Sequence, residues 1–272
     1  MENRETQNGG KKVDNNLKTF SEKRNSKKKV AQIASIIGIF IVLVVFIVIC
    51  FVFFFKVKTV EVKGASKYSA DLLAIKSGIV AGENLYSYKE SDIENTLMLS
   101  YPYISKVKLK RQWPDKIILE VSEDSPAYVA EIYGETLIFS HSLRILEAPK
   151  ENAEDIELCL LKLPDIDRAL VGNKPVFTEN ADYVSSVLKS VEKSELAEKI
   201  TYINLENKFS VYFLIGNQYK IKCGNTQDFS LKLNMTAKIL ESGHIPNGVK
   251  AEIDVSNPDE STAIIGEQAI IK

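Results

Sequence analysis

Side chains that commonly act as nucleophiles, general bases or metal ligands are sparse in this sequence. Its two histidines, His141 and His244, have no cysteine or second histidine at the spacing of a metal site. The chain also lacks the Gly-x-Ser-x-Gly turn of many hydrolases and the glycine-rich loops that bind nucleotide phosphates. The sequence therefore predicts no catalytic residue, no metal, no cofactor and no small-molecule substrate.

One cluster of carboxylates could in principle act as a general acid and base. Glu120, Glu123 and Asp124 lie close together in the sequence, and paired carboxylates can divide those two roles. They end an alternating stretch that is typical of a strand, so we interpret them as a solvated strand end. Trp113 is interpreted as an aromatic residue packed in a turn rather than as a ligand platform.

The elements that would position any site begin with one long apolar segment. Residues 30–55 read VAQIASIIGIFIVLVVFIVICFVFFF and contain no charged residue. About 20 mainly apolar residues can cross roughly 30 Å of hydrocarbon as a helix, whose backbone polar groups are satisfied internally. A buried core helix would have a polar face, and a cleaved signal peptide would have a shorter apolar region. We therefore predict a single transmembrane helix over 30–55.

The charges that flank this segment predict its orientation. Residues 1–29 contain nine Lys or Arg and four Asp or Glu, and Lys27, Lys28 and Lys29 abut the segment. Basic residues beside a span tend to stay in the cytoplasm. We predict that residues 1–29 are a disordered basic cytoplasmic tail and that the rest of the chain after the span is extracytoplasmic. The tail carries +5 and the whole chain −1, so the remainder carries −6 and offers no basic field for nucleic acid.

The three cysteines do not form a disulfide framework. Cys50 lies inside the predicted span, where it is expected to be a packing residue. Cys159 and Cys223 could pair if the compartment is oxidising, and the sequence leaves that question open.

The residues after the span predict a small α+β unit. An alternating segment over 57–64 that closes on Gly64 indicates a strand, Ser69 can cap a first helix, and a second helix is indicated over 90–99. Residues 104–121 alternate on both sides of Trp113-Pro114-Asp115, which predicts a hairpin. The predicted order is strand, helix, helix, strand, strand.

From residue 126 the pattern predicts a mostly antiparallel sheet interrupted by helices. Two short hairpin-like returns come first, and an irregular loop follows Pro164. Helices are predicted after the caps Thr178 and Asp228. Strands are predicted over 201–205, 209–215, 219–223, 251–255 and 262–265, with the Gly216-Asn217 turn joining the second and third of these.

This order of elements resembles the FtsQ/DivIB family of bacterial cell-division proteins. The resemblance is carried by GASKYSADLLAIKSGI, by LMLSYPYISKVKLKRQWPDKIILEVSE, by Leu163-Pro164 followed by Gly172, by YKIKCGNTQDFSLKLNMTAKIL and by Ile253-Asp254-Val255. The chain departs from the family at two phrases. Glu123-Asp124-Ser125-Pro126 replaces the usual Glu-Arg-x-Pro, and Ser256-Asn257 replaces the Arg-Tyr that commonly follows the last phrase.

The resemblance implies the fold class and the domains. It implies a single-pass membrane protein with an external α+β POTRA (polypeptide-transport-associated) domain, βααββ, followed by a mostly antiparallel β domain with two or more helices. The corresponding ranges are 1–29 for the tail, 30–55 for the transmembrane helix, 56–125 for the POTRA domain and 126–272 for the extracytoplasmic β domain. Because no flexible stalk separates the span from the first domain, we expect that domain to lie against the bilayer.

The resemblance also implies the function and its partners. It implies a non-catalytic scaffold of the division machinery, located in the cell membrane at the septum, that binds the bilayer and small bitopic proteins of the FtsB/DivIC and FtsL kind. The family's partner-binding region corresponds here to Asn257, Ser261, Thr262, Ala263, Ile264 and Ile265. The last strand is also a candidate by its own nature, because an exposed edge strand can accept a strand from another chain.

Two other classes of function remain open from the sequence. One is a membrane-anchored POTRA-type assembly factor for secretion or sporulation, which would commonly have several POTRA repeats and a membrane barrel. The other is a tethered cell-wall hydrolase, which would need a nucleophile or a metal cluster. The sequence shows one POTRA-like unit and neither of those sites.

Overall fold

The structure is a computed structural model that describes residues 32–246, 248–257 and 260–266. The predicted tail over 1–29 lies outside the described residues. The chain divides into two compact units. The first contains the residues up to Thr59 together with Val80–Ser87 and Gln112–Lys116, and the second contains Val60–Ile79, Tyr88–Arg111 and the residues from Ile117 onward.

Helix α1 spans Gln32–Phe54, and its apolar side chains face outward. No residue in its most apolar stretch of 18 residues is buried inside the chain. At about 1.5 Å per residue, its 23 residues extend about 34 Å, which is enough to cross the hydrocarbon of a bilayer. The length and the outward apolar surface confirm a membrane anchor.

The α+β unit has the predicted order β1, α2, α3, β2, β3. Its elements are Thr59–Lys63, Ala70–Lys76, Glu90–Ser100, Ile104–Gln112 and Lys116–Glu123, and the strands form a sheet in the order β1-β3-β2. The side chain of Ser69 accepts a hydrogen bond from the Leu72 amide, as expected of a helix N-cap. Leu97, Ile104 and Leu119 are fully buried, so the helical and alternating patterns meet in one core.

The second half of the chain forms a nine-stranded sheet in the order β14-β13-β12-β11-β10-β7-β4-β5-β6. These strands are β4 Pro126–Ile132, β5 Glu135–Ser140, β6 Ile145–Glu147, β7 Cys159–Lys162, β10 Ile200–Asn204, β11 Val211–Ile215, β12 Tyr219–Gly224, β13 Ala251–Asp254 and β14 Thr262–Ile265. Helix α4 spans Asp182–Glu192 and α5 spans Phe229–Glu241.

The sheet is mostly antiparallel, as predicted, with parallel pairs where the chain crosses over. β12 and β13 are parallel because α5 carries the chain back between them, and α4 lies in the longer connection from β7 to the parallel strand β10. β7 also pairs in parallel with β4. The other pairs in the sheet are antiparallel.

Both helices pack on one face of this sheet. Val184, Val187, Leu188 and Val191 of α4 share a buried cluster with the inward side chains of the strands, including Phe213. A smaller cluster on Val129, Ile138 and Leu146 includes Tyr103 of the α+β unit. The two clusters lie on opposite faces of β4 and β5, so both faces of these strands are buried.

Several local predictions are wrong. Thr178 does not cap α4, because the N-cap residue is Ala181, which makes no side-chain capping hydrogen bond. The Asp182 amide donates instead to the Asn180 side-chain oxygen at 3.0 Å. The loop predicted after Pro164 contains two short strands, β8 Ile166–Arg168 and β9 Val176–Phe177, which pair with each other. Asp228 stands at the N-cap of α5 but makes no capping hydrogen bond with its side chain.

Two further expectations about single residues have outcomes in the structure. Trp113 is not packed inside its turn, because 66% of its surface is exposed. The three cysteines are free thiols, so the possible pair of Cys159 and Cys223 is not formed. Burial raises the pKa of both Cys159 and Cys223 to about 12, so both stay protonated at neutral pH.

Candidate interaction site

The candidate site is the strand at one end of the nine-stranded sheet. β14 pairs antiparallel with β13, in the register Thr262 to Asp254, Ala263 to Ile253, Ile264 to Glu252 and Ile265 to Ala251. Among the residues that the structure describes, no strand lies beyond β14. The four strand residues of the predicted binding region are therefore consecutive along an open sheet edge.

The register decides which backbone groups of β14 point outward. The Gly266 amide donates to the Lys250 carbonyl at 2.9 Å, which makes these two residues a hydrogen-bonded pair. Such pairs alternate along an antiparallel ladder, so Thr262 and Ile264 turn their N–H and C=O groups toward β13. Ala263 and Ile265 turn theirs away from the sheet. This edge thus presents two donors and two acceptors at the spacing of a strand.

The opposite end of the sheet is closed. The Ile145 amide of β6 donates to the Asn173 carbonyl at 2.9 Å, and the Gly172 amide donates back to the Ile145 carbonyl at 2.8 Å. The loop that follows β8 therefore covers the outer side of β6 as a neighbouring strand would. Of the two ends, only the one at β14 lacks a neighbouring segment within the part of the chain that the structure describes.

The side chains of β14 are exposed on both faces of the sheet. Ile264 is 47% exposed and lies opposite Glu252, whose carboxylate binds the Lys222 ammonium at 2.6 Å. Ile265 is 44% exposed and lies opposite the buried Ala251, on the face that carries the core. An incoming strand would bury an apolar side chain on each face.

The two remaining residues of the predicted region precede the strand. Asn257 is exposed and accepts a hydrogen bond from the Glu260 amide through its carbonyl at 3.1 Å. Ser261 is half-buried and leads directly into β14. The structure therefore brings all six residues to one end of the sheet.

Residues on the open face beside this edge were missed by the sequence analysis. The Lys220 ammonium lies 4.7 Å from the ring centroid of Tyr212, and the ring of Tyr202 lies 5.8 Å from that of Tyr212. Alternation along β10, β11 and β12 places these side chains on the face opposite the core. That alternation was the available signal, and it would have identified a face of aromatic and basic residues.

The carboxylates that could have formed a catalytic pair have separate partners. Glu120 binds the Lys110 ammonium at 2.7 Å. Glu123 accepts from the Ser66 amide at 3.0 Å, the Ser66 hydroxyl at 2.6 Å and the Lys67 amide at 2.9 Å. Glu123 thus orders the loop between β1 and α2, which is a structural role.

The histidines lie in different environments. His141 packs edge-on to the Tyr128 ring at 5.7 Å, and the His244 Nδ1 atom is 2.7 Å from the Ser242 hydroxyl. In the described ranges, no three His, Cys, Asp or Glu side chains form a group that could hold a metal ion.

Comparisons with known proteins agree on one family. Residues 55–124 match the model of the FtsQ-type POTRA domain. "Cell division protein DivIB" of Clostridium botulinum is 25% identical over 235 residues, which cover 85% of this chain and 90% of the relative. "Cell division protein FtsQ" of Corynebacterium glutamicum is 24% identical over 199 residues, which cover 72% of this chain and 84% of the relative.

The chain is similar to proteins of the FtsQ/DivIB family over most of its length. The resemblance found in the sequence is thereby confirmed, and with it a role in cell division. The major extracytoplasmic domain of the trans isomer of DivIB from Geobacillus stearothermophilus covers 44% of this chain at 14% identity, with a TM-score of 0.29. That score is too low to add to the description of the fold.

Proposed function

We propose that this FtsQ/DivIB protein is a non-catalytic bitopic scaffold that binds the external segments of small division proteins at β14. The partners would be bitopic proteins of the FtsB/DivIC and FtsL kind, assembled at the septum. The observation that carries the proposal is the outward-facing backbone of Ala263 and Ile265, at the end of the sheet beyond which the described residues place no further strand.

A partner strand would bind by extending the sheet. Its backbone would exchange hydrogen bonds with Ala263 and Ile265, each contributing about 1 kcal/mol net. Its side chains would cover Ile264 on one face and Ile265 on the other, and about 25 cal/mol is gained per Å² of apolar surface removed from water. This combination gives an interface of modest affinity.

Membrane anchoring makes such a modest affinity sufficient. A partner held in the same bilayer meets this chain at a raised effective concentration, so the strand needs to contribute less binding energy than in free solution. We propose the orientation that follows from Lys27, Lys28 and Lys29, with the N-terminus in the cytoplasm and the sheet outside.

The test removes a backbone N–H that points away from the sheet and keeps the N–H groups that bond to β13. Ala263→Pro removes an N–H that points away from β13, and proline is tolerated on edge strands. We expect co-purification of both partner types with the full-length chain to fall at least about tenfold, because one hydrogen bond is lost and the proline ring obstructs the approach. Ala263→Val keeps the amide and serves as the matched control.

A second variant tests the apolar contact. Ile264→Lys places a charge where a partner side chain would lie, and it should weaken capture while the chain stays folded. If both Ala263→Pro and Ile264→Lys capture the partners as well as the native chain does, β14 is not the binding edge.

The alternatives give different results in simple experiments. A cell-wall hydrolase would clear peptidoglycan in a zymogram, whereas we expect no clearing. A secretion or sporulation factor would not collect at mid-cell, whereas we expect a fluorescent fusion of this chain to form a mid-cell ring.

A further inference from the structure

Aromatic side chains from two distant loops pack against the C-terminal end of α1. The Phe51 and Tyr86 ring centroids are 4.8 Å apart, and the Phe55 and Trp113 centroids are 5.3 Å apart. Phe55 also meets Tyr86 edge-on at 6.1 Å, and the Trp113 Nε1–H donates to the Tyr86 hydroxyl at 2.9 Å. We call these four residues the aromatic collar. All four belong to the first compact unit.

Hydrogen bonds from one of these loops complete the end of the helix. The Asn84 side-chain amide donates to the Phe51 carbonyl at 3.2 Å, and the Leu85 amide donates to the Phe55 carbonyl at 2.8 Å. The last carbonyls of a helix have no partner within the helix, and an unpaired carbonyl near hydrocarbon is costly. Residues 80–87 therefore cap the span from about thirty residues further along the chain.

The collar combines exposed apolar surface with polar atoms at its margin. Trp113 is 66% exposed although its only polar side-chain atom is bonded to Tyr86, so its free surface is apolar. Phe53 and Phe54, which precede Phe55 in the sequence, are 67% and 72% exposed. Lys58 binds the Asp115 carboxylate at 2.8 Å, in the same turn as Trp113. An apolar ring system bordered by ionic groups matches the composition of the boundary between lipid chains and headgroups.

The length of the span places the collar at that boundary. Helix α1 extends about 34 Å against roughly 30 Å of hydrocarbon, so its last turn reaches the headgroup region when its apolar length is centred in the bilayer. Tyrosine and tryptophan are enriched at this depth because their rings are amphipathic. The collar is continuous with the span, so the surface that covers its exposed side is lipid.

We propose that the aromatic collar is a lipid-docking site, in which Trp113 inserts among the phospholipids at the membrane interface and holds residues 80–87 and 112–116 there. The span alone would tether the chain. The collar adds a second contact, made by loops that are remote from the span in sequence.

The protein carries its own probe for the test, because Trp113 is its only tryptophan. The full chain is reconstituted in phosphatidylcholine vesicles that contain lipids brominated either near the headgroup or near the chain terminus. We expect blue-shifted Trp113 emission that is quenched more strongly by the shallow bromines than by the deep ones. Emission typical of water, quenched by iodide and by neither brominated lipid, would overturn the proposal.

A relocated tryptophan controls for general association with vesicles. Phe209 is 70% exposed and lies in the second compact unit, in the connection between β10 and β11. In the double variant Trp113→Phe, Phe209→Trp, we expect iodide to quench the emission and brominated lipid to have little effect. Equal lipid quenching at both positions would contradict docking through the collar.

A paired set of asparagine variants tests the loop that caps the helix. Asn84→Ala removes the bond to Phe51 and the bond from the Tyr86 amide to the Asn84 side-chain Oδ1 atom at 2.9 Å. We expect the Trp113 emission to shift to the red and to be quenched less by bromines near the headgroup. Asn95→Ala is the matched control, because Asn95 is exposed on α3, and it should leave both readings unchanged. Loss of shallow quenching in both variants, or in neither, would count against the proposed role of the capping loop.

Discussion

At the scale of single residues, a buried arginine that the sequence analysis did not identify connects three segments of the chain. Arg144 is buried, and its guanidinium donates to three backbone carbonyls, those of Ile104 at 2.5 Å, Met98 at 2.7 Å and Gly172 at 2.8 Å. Burial lowers the pKa of Arg144. Within the described ranges no carboxylate forms an ion pair with it, so carbonyl dipoles and the nearby charge of Asp124 stabilise the guanidinium.

Replacing Arg144 should therefore be costly. Arg144→Met leaves three carbonyls without donors, and we expect the free energy of unfolding to fall by about 3 kcal/mol. Denaturant titration of the full chain in detergent, followed by circular dichroism, measures this change. Arg168→Met removes an exposed arginine and should change the stability by less than about 0.5 kcal/mol. Comparable losses in the two variants would show that the carbonyl contacts are unimportant.

Glu123 makes the stability depend on pH. Burial raises its pKa, but hydrogen bonds from Ser66 and Lys67 outweigh this and hold the pKa below its ordinary value of 4.5. A carboxyl with a lowered pKa stabilises the folded chain fully above its ordinary pKa, and this contribution is lost as the pH falls through the lowered one. Glu123→Gln should therefore be less stable than the native chain at neutral pH, with a difference that shrinks in acid.

Unfolding titrations at several pH values measure this difference. Glu120→Gln is the control, because Glu120 forms an exposed pair with Lys110 and should matter little. A difference for Glu123→Gln that stayed constant from neutral pH to strong acid would contradict the linkage.

At the scale of elements, the crossover through α5 depends on a buried lysine. Lys232 is 2% exposed, and its ammonium donates to the Cys223 carbonyl at 2.9 Å, the Asn225 carbonyl at 2.9 Å and the Asn225 side-chain oxygen at 2.8 Å. These bonds join the end of β12 to the first turns of α5. They fix the path by which the chain reaches β13 and then the edge strand.

Loss of this ammonium should weaken the crossover. Lys232→Met fits the same space but leaves the Cys223 and Asn225 carbonyls unpaired, and we expect a loss of about 2 kcal/mol in the free energy of unfolding. Lys238→Met changes an exposed lysine on the same helix and should be nearly neutral. Thermal unfolding of both variants under identical conditions makes the comparison, and equal midpoints would refute the assigned role.

The elements also show what could be predicted from the sequence. Periodicity and turn residues were sufficient for α2, α3, the β2–β3 hairpin and β14, because these features depend on near neighbours. The parallel pairing of β7 was not predictable in this way, since it depends on contacts between segments that are distant in the chain. The strands β8 and β9 have only three and two residues, which is too short for an alternating pattern. Arg144 was missed for the same reason, because its partners lie 28, 40 and 46 residues away.

At the scale of the whole molecule, the described residues cover one end of the nine-stranded sheet and leave the β14 end uncovered. This asymmetry makes a prediction for hydrogen exchange. In the free chain the amides of Thr262 and Ile264 should exchange slowly, because they bond to β13, whereas those of Ala263 and Ile265 should exchange fast. Partner binding should protect the second pair selectively. Protection confined to other strands would exclude pairing at β14.

The β14 edge has a consequence for how the sequences of this chain and its partner could evolve. A contact made through the main chain of Ala263 and Ile265 depends on the spacing of peptide groups and only weakly on the residues that carry them. Under the proposed mode of binding, the chain and its partner could each accumulate substitutions along this strand while remaining compatible.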